Sequence, residues 1–453
     1  MKTIFITMSK GALIRNYFKT GFMAKLLERG VRVVVLSPFY QDEEIFGAYR
    51  GDHIHFEPLF FTKMSKLGLF VDALWLEFGK GVVYSSTVLA HYKYLARHQH
   101  GYTGKKPKKF LYYPRIAFFF LFRFFPGIKI LLRKIHFLLF PQREHDHLFK
   151  KYHPDLVFIT DFVDSMDVGV CKSAQRYGVP TAGMAKSWDN FSKSLFRVKT
   201  NALFVWGEFA RQQALNYQGF YADEITPVGG LQFDYYRPEN TVNREEFCRE
   251  LGLDKDKQIV FYGSTGLRCW TEYEYIDLIL DIIKSEGIQA QLLIRPHLAH
   301  PGDEKKFDRY LGRDDIVIYR GQRNTHLPDN WDLSDDHLRH IYNSIYHAAV
   351  SVNIASTLTL DSIAVGTPVI NISFDVSKRA MADSVLRFYK TDYTGAVARF
   401  GGSWLTRSPE EFRRTFIKIL SGKADKKEMV EKMRQYFLYK TDGCAGERLV
   451  KIL

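Results

Sequence analysis

The stretch SVNIASTLTLDSIAVGTPVINIS, residues 351–373, contains two short apolar runs separated by hydroxyl side chains and one aspartate. The runs Val350–Ile354 and Val369–Ile372 are rich in β-branched residues and have the length of buried strands. Between them we predict a helix that begins at Ser356, whose hydroxyl can accept hydrogen bonds from the amides of the first turn, and ends at Gly366. A strand, a helix and a second strand in this order form the building unit of a parallel sheet.

The turn after the first of these strands belongs at the carboxyl edge of the sheet. Unpaired amides and the positive end of a helix favour an anion there, and the hydroxyls of Ser356 and Thr357 add hydrogen-bond donors. An ordinary capped helix in an α/β domain explains the same pattern. The stretch therefore predicts a parallel-sheet unit, and it leaves open whether an anion binds at the turn.

Length and composition indicate two domains in a reducing compartment. The chain has 453 residues, too many for one core, and its 46% hydrophobic residues suffice to fill two. Its four cysteines form no CxxC pair, so the sequence indicates neither a zinc site nor a disulfide framework. We expect no metal, no cofactor and a cytoplasmic location. The apolar stretch Thr3–Met8 is too short for a signal peptide and predicts a first strand.

The net charge of +14 comes almost entirely from residues 78–143, which contain thirteen lysines and arginines and no acidic residue. Within this segment, FLYYPRIAFFFLFRFFPGIKILLRKIHFLLF, residues 110–140, mixes basic residues with bulky apolar ones. That mixture is typical of segments lying on anionic membranes. We predict peripheral docking through residues 105–140 at the inner face of the cytoplasmic membrane; a helical pair packed on the sheet is the alternative. Nucleic acid is not expected, because a block of consecutive phenylalanines does not resemble a base-stacking groove.

Strand and helix patterns alternate along both halves of the chain. In the first half we predict a helix over Tyr17–Arg29 and strands over Ile4–Met8, Val31–Leu36, Leu156–Thr160, Thr181–Ala185 and Ala202–Trp206. A second alternation begins at QIVFYGSTG, residues 258–266. The fold class is therefore α/β, with two Rossmann-like parallel-sheet domains facing each other across a cleft. We predict domains over residues 1–230, with 78–143 as an insertion, and 257–430, joined by a linker over 231–256.

Three turns of the second domain should converge, because each follows a strand at the same sheet edge. The candidate ligand-binding residues in them are Gly263, Ser264 and Thr265, then Arg295 and His297, and finally Ser356 and Thr357. Small residues let backbone approach a ligand, and a guanidinium and an imidazole suit phosphate oxygens. The set predicts a diphosphate or nucleotide site. No GxxxxGK[ST] motif is present, so a P-loop hydrolase is not indicated.

The sequence resembles bacterial glycosyltransferases of the GT-B fold. The segments that carry this resemblance are RNYFKTGFMAKLLERG, SWDNFSK, FVWGEFARQQA, VGGLQFDYY, LLIRPH, SVNIASTLTLDSIAVGTPVI and DGCAGERLVKIL. The chain is most similar to the branch with surface-polysaccharide enzymes and CDP-glycerol glycerophosphotransferases. The resemblance implies Leloir-type, metal-independent transfer from a nucleotide-activated sugar bound by the C-terminal domain to a lipid-linked or polymeric glycan. It also implies that 431–453 is a helix crossing back to the first domain.

The resemblance assigns roles to individual residues. His297 corresponds to a His-Pro type motif that contacts donor phosphate, although Leu298 follows it here, and Ser356 and Thr357 correspond to the hydroxyl pair at the phosphate-binding helix. Asp361, one turn farther on, could hold a donor hydroxyl or its own helix.

Transfer also needs a base for the acceptor hydroxyl. The candidates are Asp161 and Asp189, each just after a predicted strand, whereas Asp164 and Asp167 are less well placed for the cleft. A helix N-cap for Asp161 and an Asx turn for Asp189 are the structural alternatives. Further residues that could contact donor or acceptor in the cleft are Arg15, Asn16, Trp188 and Asn190.

Several functions remain open from the sequence. The leading one is a membrane-peripheral glycosyltransferase. The alternatives are a CDP-glycerol-type polyol-phosphate transferase, a sugar-nucleotide 2-epimerase that needs no acceptor, and a noncatalytic protein that binds lipid or nucleic acid.

Overall fold

The computed structural model describes residues 1–95, 118, 120–125, 127–321 and 335–453. Two compact units divide these residues. Unit 1 comprises residues 1–88, 118, 120–125, 127–234 and 444–453, and unit 2 comprises 89–95, 235–321 and 335–443. Of the segment predicted to dock on a membrane, residues 105–117, 119 and 126 lie outside the described part of the chain.

Each unit contains one sheet whose paired strands all run parallel. The sheet of unit 1 has the order β3-β2-β1-β4-β5-β6-β7, and that of unit 2 has the order β10-β9-β8-β11-β12-β13. The strands are β1 (Thr3–Thr7), β2 (Arg32–Ser37), β3 (Ile54–Pro58), β4 (Leu156–Ile159), β5 (Thr181–Met184), β6 (Ala202–Val205), β7 (Ile225–Pro227), β8 (Gln258–Gly263), β9 (Ala290–Arg295), β10 (Ile316–Ile318), β11 (Ala348–Asn353), β12 (Val369–Ile372) and β13 (Trp404–Thr406). The prediction of two parallel-sheet α/β domains is confirmed.

Helices connect the strands, as parallel pairing requires. They are α1 (Gly11–Phe18), α2 (Phe22–Leu27), α3 (Glu43–Phe46), α4 (Lys66–Val83), α5 (Ser86–Ala90), α6 (Ile128–Leu139), α7 (Asp146–Tyr152), α8 (Ser165–Tyr177), α9 (Glu208–Gln213), α10 (Arg244–Leu251), α11 (Tyr273–Ser285), α12 (Asp335–Tyr346), α13 (Leu358–Val365), α14 (Asp392–Phe400), α15 (Pro409–Leu420), α16 (Lys427–Leu438) and α17 (Ala445–Ile452). A 3₁₀ helix over Asp303–Tyr310 also bears on the site.

Alternate side chains of a central strand enter different cores, because both faces of a parallel sheet are covered. Along β8, Val260 and Tyr262 join the larger core of unit 2. Ile259 and Phe261 point to the opposite face and join a second core with Phe247. Phe247 belongs to α10, which lies within the stretch 231–256 that was predicted to link the domains.

The structure corrects two predicted helices. The single helix over Tyr17–Arg29 is two helices, α1 and α2, because Gly21 adopts a φ of 81° and turns the chain between them. The helix expected to begin at Ser356 begins two residues later, at Leu358. Ala355 has a left-handed φ of 46°, so the residues after it complete a turn before the helix starts.

The last helix, α17, belongs to unit 1 and packs against α2. The side chain of Asp234 accepts hydrogen bonds from the amides of Ala445 at 2.9 Å and Gly446 at 2.7 Å. A carboxylate at these amides suits the positive end of a helix.

Candidate functional site

Three neighbouring strands of unit 2 end side by side. Gly263 at the end of β8 pairs with Arg295 of β9 on one side and with Asn353 of β11 on the other. The turns that follow the three strands therefore start at the same sheet edge, and their predicted adjacency is confirmed. Gly263 is needed where α13 approaches, since a Cβ there would lie 2.0 Å from Cδ1 of Leu358.

The turn after β8 is organised by one buried carboxylate. Glu272 accepts hydrogen bonds from the hydroxyl of Ser264 at 2.7 Å and from the amide of Thr265 at 2.9 Å. The Ser264 hydroxyl in turn accepts from the amide of Gly266 at 3.1 Å. Because its proton is already donated to Glu272, Ser264 supports the turn and has no hydrogen left to donate to a phosphate. This differs from its predicted role as a ligand.

Lys306 joins the turn after β8 to the turn after β9. Its buried ammonium lies 2.5 Å from Asp303 and also contacts Glu272. It donates to the carbonyls of Gly266 at 2.9 Å and Cys269 at 3.1 Å. Burial by itself lowers the pKa of Lys306, but Glu272 and Asp303 outweigh it and hold the pKa above the usual value. The two turns are thus held together by a buried ammonium that stays protonated at neutral pH.

His297 lies in the turn after β9 and is half-buried. Its amide donates to Asp303 at 2.7 Å, and its ring stacks on that of His300, with centroids 4.2 Å apart. Burial, followed by the nearby His300 and further cations, lowers the pKa of His297 to about 3, so the ring is neutral at physiological pH. Its Nδ1 atom is buried without a hydrogen-bond partner among the described residues.

The hydroxyl of Thr265 is also buried and lacks a partner among the described residues. Arg295 is 6% exposed; its guanidinium lies over the ring of Tyr319, and its Nη2 is 3.5 Å from Nδ1 of His337. Buried polar groups are normally satisfied. The unsatisfied atoms of Thr265 and His297 therefore mark a place where an additional polar group is expected.

The third turn leads into α13. The hydroxyl of Ser356 accepts from the amide of Leu358 at 3.3 Å. The N-cap position is Thr357, not Ser356 as predicted; Thr357 is exposed, and its side chain makes no capping hydrogen bond among the described residues. Asp361 is buried and accepts a hydrogen bond of 2.8 Å from the hydroxyl of Tyr236, which stacks on Tyr342. Asp361 thus binds a phenol from another part of unit 2.

In unit 1, several charged side chains lie near the carboxyl ends of the central strands. Asp161, directly after β4, is 1% exposed. One of its oxygens accepts from the amide of Val163 at 2.8 Å; the other lies 3.8 Å from Nζ of Lys10 and 3.6 Å from Nζ of Lys186. The helix α8 is capped instead by Asp164. Asp161 therefore makes an Asx-type turn and keeps one oxygen between two lysines.

Asp167 is fully buried next to this group, on α8. Its carboxyl accepts a hydrogen bond from the hydroxyl of Thr7, at the end of β1. Burial, reinforced by the charges of Asp161 and Asp164, raises the pKa of Asp167 to about 8. An acid that keeps its proton at neutral pH therefore lies beside the buried carboxyl end of β4.

The segment around Asp189 has a mostly structural arrangement. Asp189 forms a half-exposed ion pair of 2.6 Å with Lys193, four residues later. The side chain of Asn190 accepts a hydrogen bond from the amide of Ser187, three residues earlier, at 2.9 Å. Trp188 is buried against Phe209.

Arg15 and Asn16 both lie on α1 and are buried. The guanidinium of Arg15 donates two hydrogen bonds to the side-chain oxygen of Asn16, at 3.0 and 2.8 Å. The pair is held in one arrangement by its own contacts.

Sequence reasoning missed the residues that support the site, and it set Asp167 aside as less well placed. The missed residues are Thr7, Lys10, Lys186, Glu272, His300, Asp303 and Lys306. Only His300 had a signal, since it follows His297 by three residues in the sequence RPHLAHP, residues 295–301. In the part of the chain that the structure describes, no group of three or more His, Cys, Asp or Glu side chains is arranged to hold a metal ion. Among the same residues, no helix is both long enough and apolar enough to span a bilayer.

No family model and no curated protein sequence matches this chain. Solved structures with a similar fold include a UDP-N-acetylglucosamine 2-epimerase from Neisseria meningitidis bound to UDP-GlcNAc, with 11% identity, a TM-score of 0.56 and coverage of 100% of this chain and 99% of that one. A glycosyltransferase from Rickettsia africae has 10% identity, a TM-score of 0.53 and coverage of 100% and 97%.

A UDP-GlcNAc 2-epimerase from Methanocaldococcus jannaschii has 14% identity, a TM-score of 0.51 and coverage of 100% and 99%. At such low identity the likeness to these structures concerns the fold alone. The chain has a GT-B-type fold.

Proposed function

We propose that this chain is a metal-independent, Leloir-type glycosyltransferase of the surface-polysaccharide branch. It moves a sugar or sugar-like group from a nucleotide-activated donor to a lipid-linked or polymeric glycan. The observation that carries the proposal is the sheet edge of unit 2, where buried polar atoms of Thr265 and His297 lack a partner among the described residues. A nucleotide diphosphate at adjacent strand ends would supply the missing acceptor oxygens.

Each group at this edge suits one part of the donor. The guanidinium of Arg295 can neutralise phosphate charge, and the neutral ring of His297 can donate a hydrogen bond to a phosphate oxygen. Ser356 and Thr357 stand at the start of α13, where amides and the helix dipole favour an anion. Asp361 can accept from a ribose hydroxyl in place of the Tyr236 phenol, which it binds at 2.8 Å.

Proton transfer is proposed for Asp161. In a direct displacement, an acceptor hydroxyl gives its proton to a carboxylate while its oxygen bonds to the anomeric carbon and the nucleoside diphosphate leaves. Asp161 is preferred to Asp189 because its second oxygen, which accepts no hydrogen bond among the described residues, lies between Lys10 and Lys186, whereas Asp189 is paired with Lys193. The two lysines keep Asp161 in one orientation.

The test is a thermal-shift screen of the full chain against CMP, CDP, UDP, GDP and dTDP. A nucleotide that binds only the native state raises the melting temperature. We expect one diphosphate to do so, and the shift to be lost in His297→Ala and in Thr265→Val. His53→Ala, at an exposed histidine of unit 1, is the matched control and should keep the shift. If no nucleotide shifts the wild-type protein, the proposal fails and a noncatalytic role is favoured.

A second candidate is a sugar-nucleotide 2-epimerase. Its support is that similar structures include UDP-N-acetylglucosamine 2-epimerases from two organisms. An epimerase needs no acceptor, so incubation with UDP-GlcNAc alone separates the two. An epimerised product without acceptor favours the second candidate, and transfer that strictly requires an acceptor favours the first. Turnover of CDP-glycerol would instead identify a polyol-phosphate transferase.

We also propose that the protein acts in the cytoplasm, docked peripherally on the inner face of the membrane through residues 105–140. The basic, acid-free composition of this segment supports the idea. A membrane location would bring the enzyme to a lipid-linked acceptor.

A further inference from the structure

The helix α6 in unit 1 has its polar and apolar faces reversed with respect to an ordinary surface helix. Its buried side chains are Leu132, Arg133 and His136. The exposed side chains are Ile130, Leu131, Lys134, Ile135, Leu138 and Leu139. At 100° per residue these six cover one half of the helix circumference. Surface helices normally turn apolar side chains inward.

Buried hydrogen bonds fix this rotation. Arg133 donates to the carbonyl of Phe196 at 3.1 Å and to that of Gln218 at 2.8 Å. The indole of Trp75, on α4, donates to the carbonyl of Leu132 at 2.9 Å. Rotating α6 to bury its leucines would leave these groups unsatisfied inside the protein, which is costly.

The C-terminal half of α6 is held in the same way. His136 lies 3.3 Å from Asp72, which also forms an ion pair of 2.8 Å with Arg197. Lys172 donates to the carbonyls of His136 at 3.2 Å and Phe140 at 2.5 Å. The protein thus uses three buried cations or imidazoles to keep the apolar side of one helix turned outward.

The exposed apolar surface continues onto α4. Trp75 contacts Leu132 and Asp72 contacts His136, so α4 and α6 run antiparallel with the start of α4 beside the end of α6. The first turns of α4 expose Leu67, Leu69 and Phe70. We name the combined surface the outer face; it consists of Leu67, Leu69, Phe70, Ile130, Leu131, Ile135, Leu138 and Leu139.

Positive charge lies within and near the outer face. Lys63, Lys66 and Lys134 are exposed and have no carboxylate partner among the described residues. The sequence between residues 60 and 143 has only two acidic residues, Asp72 and Glu77, and both are in ion pairs, with Arg197 at 2.8 Å and Lys80 at 2.9 Å. A protein partner would have to match an apolar face that also carries cations, whereas an anionic lipid surface offers both acyl chains and negative headgroups.

We propose that the outer face docks this protein on an anionic lipid bilayer, with α4 and α6 lying in the plane of the interface. The exposed leucines and isoleucines enter the acyl region, and the three lysines contact the headgroups. The inference rests on the proposed function for its purpose, which is access to a lipid-linked acceptor. It assigns the docking to side chains that the structure describes. It also includes α4, which lies outside residues 105–140.

The test is co-sedimentation of the full chain with vesicles of phosphatidylcholine containing phosphatidylglycerol. We expect wild type to bind, and Leu131→Glu/Leu138→Glu to bind about tenfold or more weakly, because two exposed apolar side chains become charged. Leu138 is 76% exposed, so the substitutions should leave the melting temperature unchanged. Leu311→Glu, at a 57% exposed leucine of unit 2, is the matched control and should bind like wild type. Lys134→Glu should weaken binding at low salt.

Three outcomes would overturn the inference. They are equal binding by the double variant and wild type, equal binding to vesicles without phosphatidylglycerol, and a dimer in size-exclusion chromatography that the double variant dissociates while vesicles stay unbound. The nucleotide thermal shift is measured on the same variants. Vesicle binding without any nucleotide shift would refute the proposed transferase activity alone. A nucleotide shift without vesicle binding would refute membrane docking and leave the transferase activity standing.

Discussion

The buried ammonium of Lys306 donates a hydrogen bond of 3.0 Å to the hydroxyl of Ser264. The two residues come from different turns at the same sheet edge, one before α11 and one within the 3₁₀ helix over Asp303–Tyr310. The contact makes the position of one turn depend on the other. A ligand at this edge would therefore meet a preformed surface, with the geometry of its turns set before it binds.

The first prediction concerns Lys306→Met. Removing the ammonium leaves Glu272 and Asp303 as buried carboxylates without their cation, and breaking a buried ion pair in this way costs about 3–5 kcal/mol. We expect the free energy of unfolding to fall by this amount in urea denaturation. Lys305→Met, at the exposed neighbouring lysine, should be within about 0.5 kcal/mol of wild type. Equal stability of the two variants would contradict the role given to Lys306.

The second prediction concerns His297→Ala, which removes the ring and its hydrogen-bond donor. A hydrogen bond to a charged group contributes about 1.5–3 kcal/mol, so its loss should weaken nucleotide diphosphate binding about 10- to 100-fold. Since the ring is half-buried and its Nδ1 has no partner among the described residues, we expect only a small change in melting temperature. Isothermal titration of the nucleotide identified by thermal shift measures the effect. Unchanged affinity would remove His297 from the site.

The strands could be predicted from the sequence because each one depends on the residues of its own short segment. The strand Val369–Ile372 was placed with the bounds it has, since three of its four residues are apolar, all four are buried, and Gly366 and Pro368 separate it from the preceding helix. Strand ends in a parallel sheet share an edge, so the adjacency of Gly263, Arg295 and Asn353 followed as well.

The start of α13 could not be predicted, because it depends on a contact between distant residues. The amide of Ala355 donates to the hydroxyl of Tyr389 at 3.0 Å, and that hydroxyl donates to the carbonyl of Ile372 at 2.8 Å. In this arrangement Ala355 has a left-handed backbone conformation, which alanine rarely adopts. The helix begins only after that turn.

The residues that hold the turns of the site together could not be predicted from the sequence, for a similar reason. Glu272 and Lys306 are 34 residues apart, and neither differs in sequence from a charge on a solvated helix. The two residues come together only when the chain folds. Because burying an unpaired charge is costly, they then form an ion pair. Asp167 is another example, because its neighbours Thr7 and Asp161 come from two adjacent strands.

The third prediction concerns Gly266→Ala. Gly266 has a φ of 75°, and an added Cβ would lie 1.7 Å from Nδ1 of His300. A side chain in this backbone region costs about 1–2 kcal/mol, and pushing His300 away also disturbs its stacking on His297. We expect lower stability and at least about tenfold weaker nucleotide binding. Gly287→Ala, with a φ of 63° and nothing near its Cβ, is the control for backbone strain alone; it should lose stability and keep nucleotide affinity.

The fourth prediction concerns the pH dependence of stability in Asp167→Asn. Burial raises the pKa of Asp167 from 3.8 to about 8. Between these values the folded state keeps a proton that the unfolded state releases, so this group lowers the free energy of unfolding as pH rises, by up to about 1.4 kcal/mol per pH unit. Asparagine cannot titrate, and its side-chain oxygen can still accept from Thr7. The free energy of unfolding of the variant, measured in urea from pH 4 to 8, should therefore gain on wild type steadily across that window. Parallel curves for the two proteins would show that Asp167 is ionised in the folded state, and the acid beside Asp161 would then be a charged carboxylate at neutral pH.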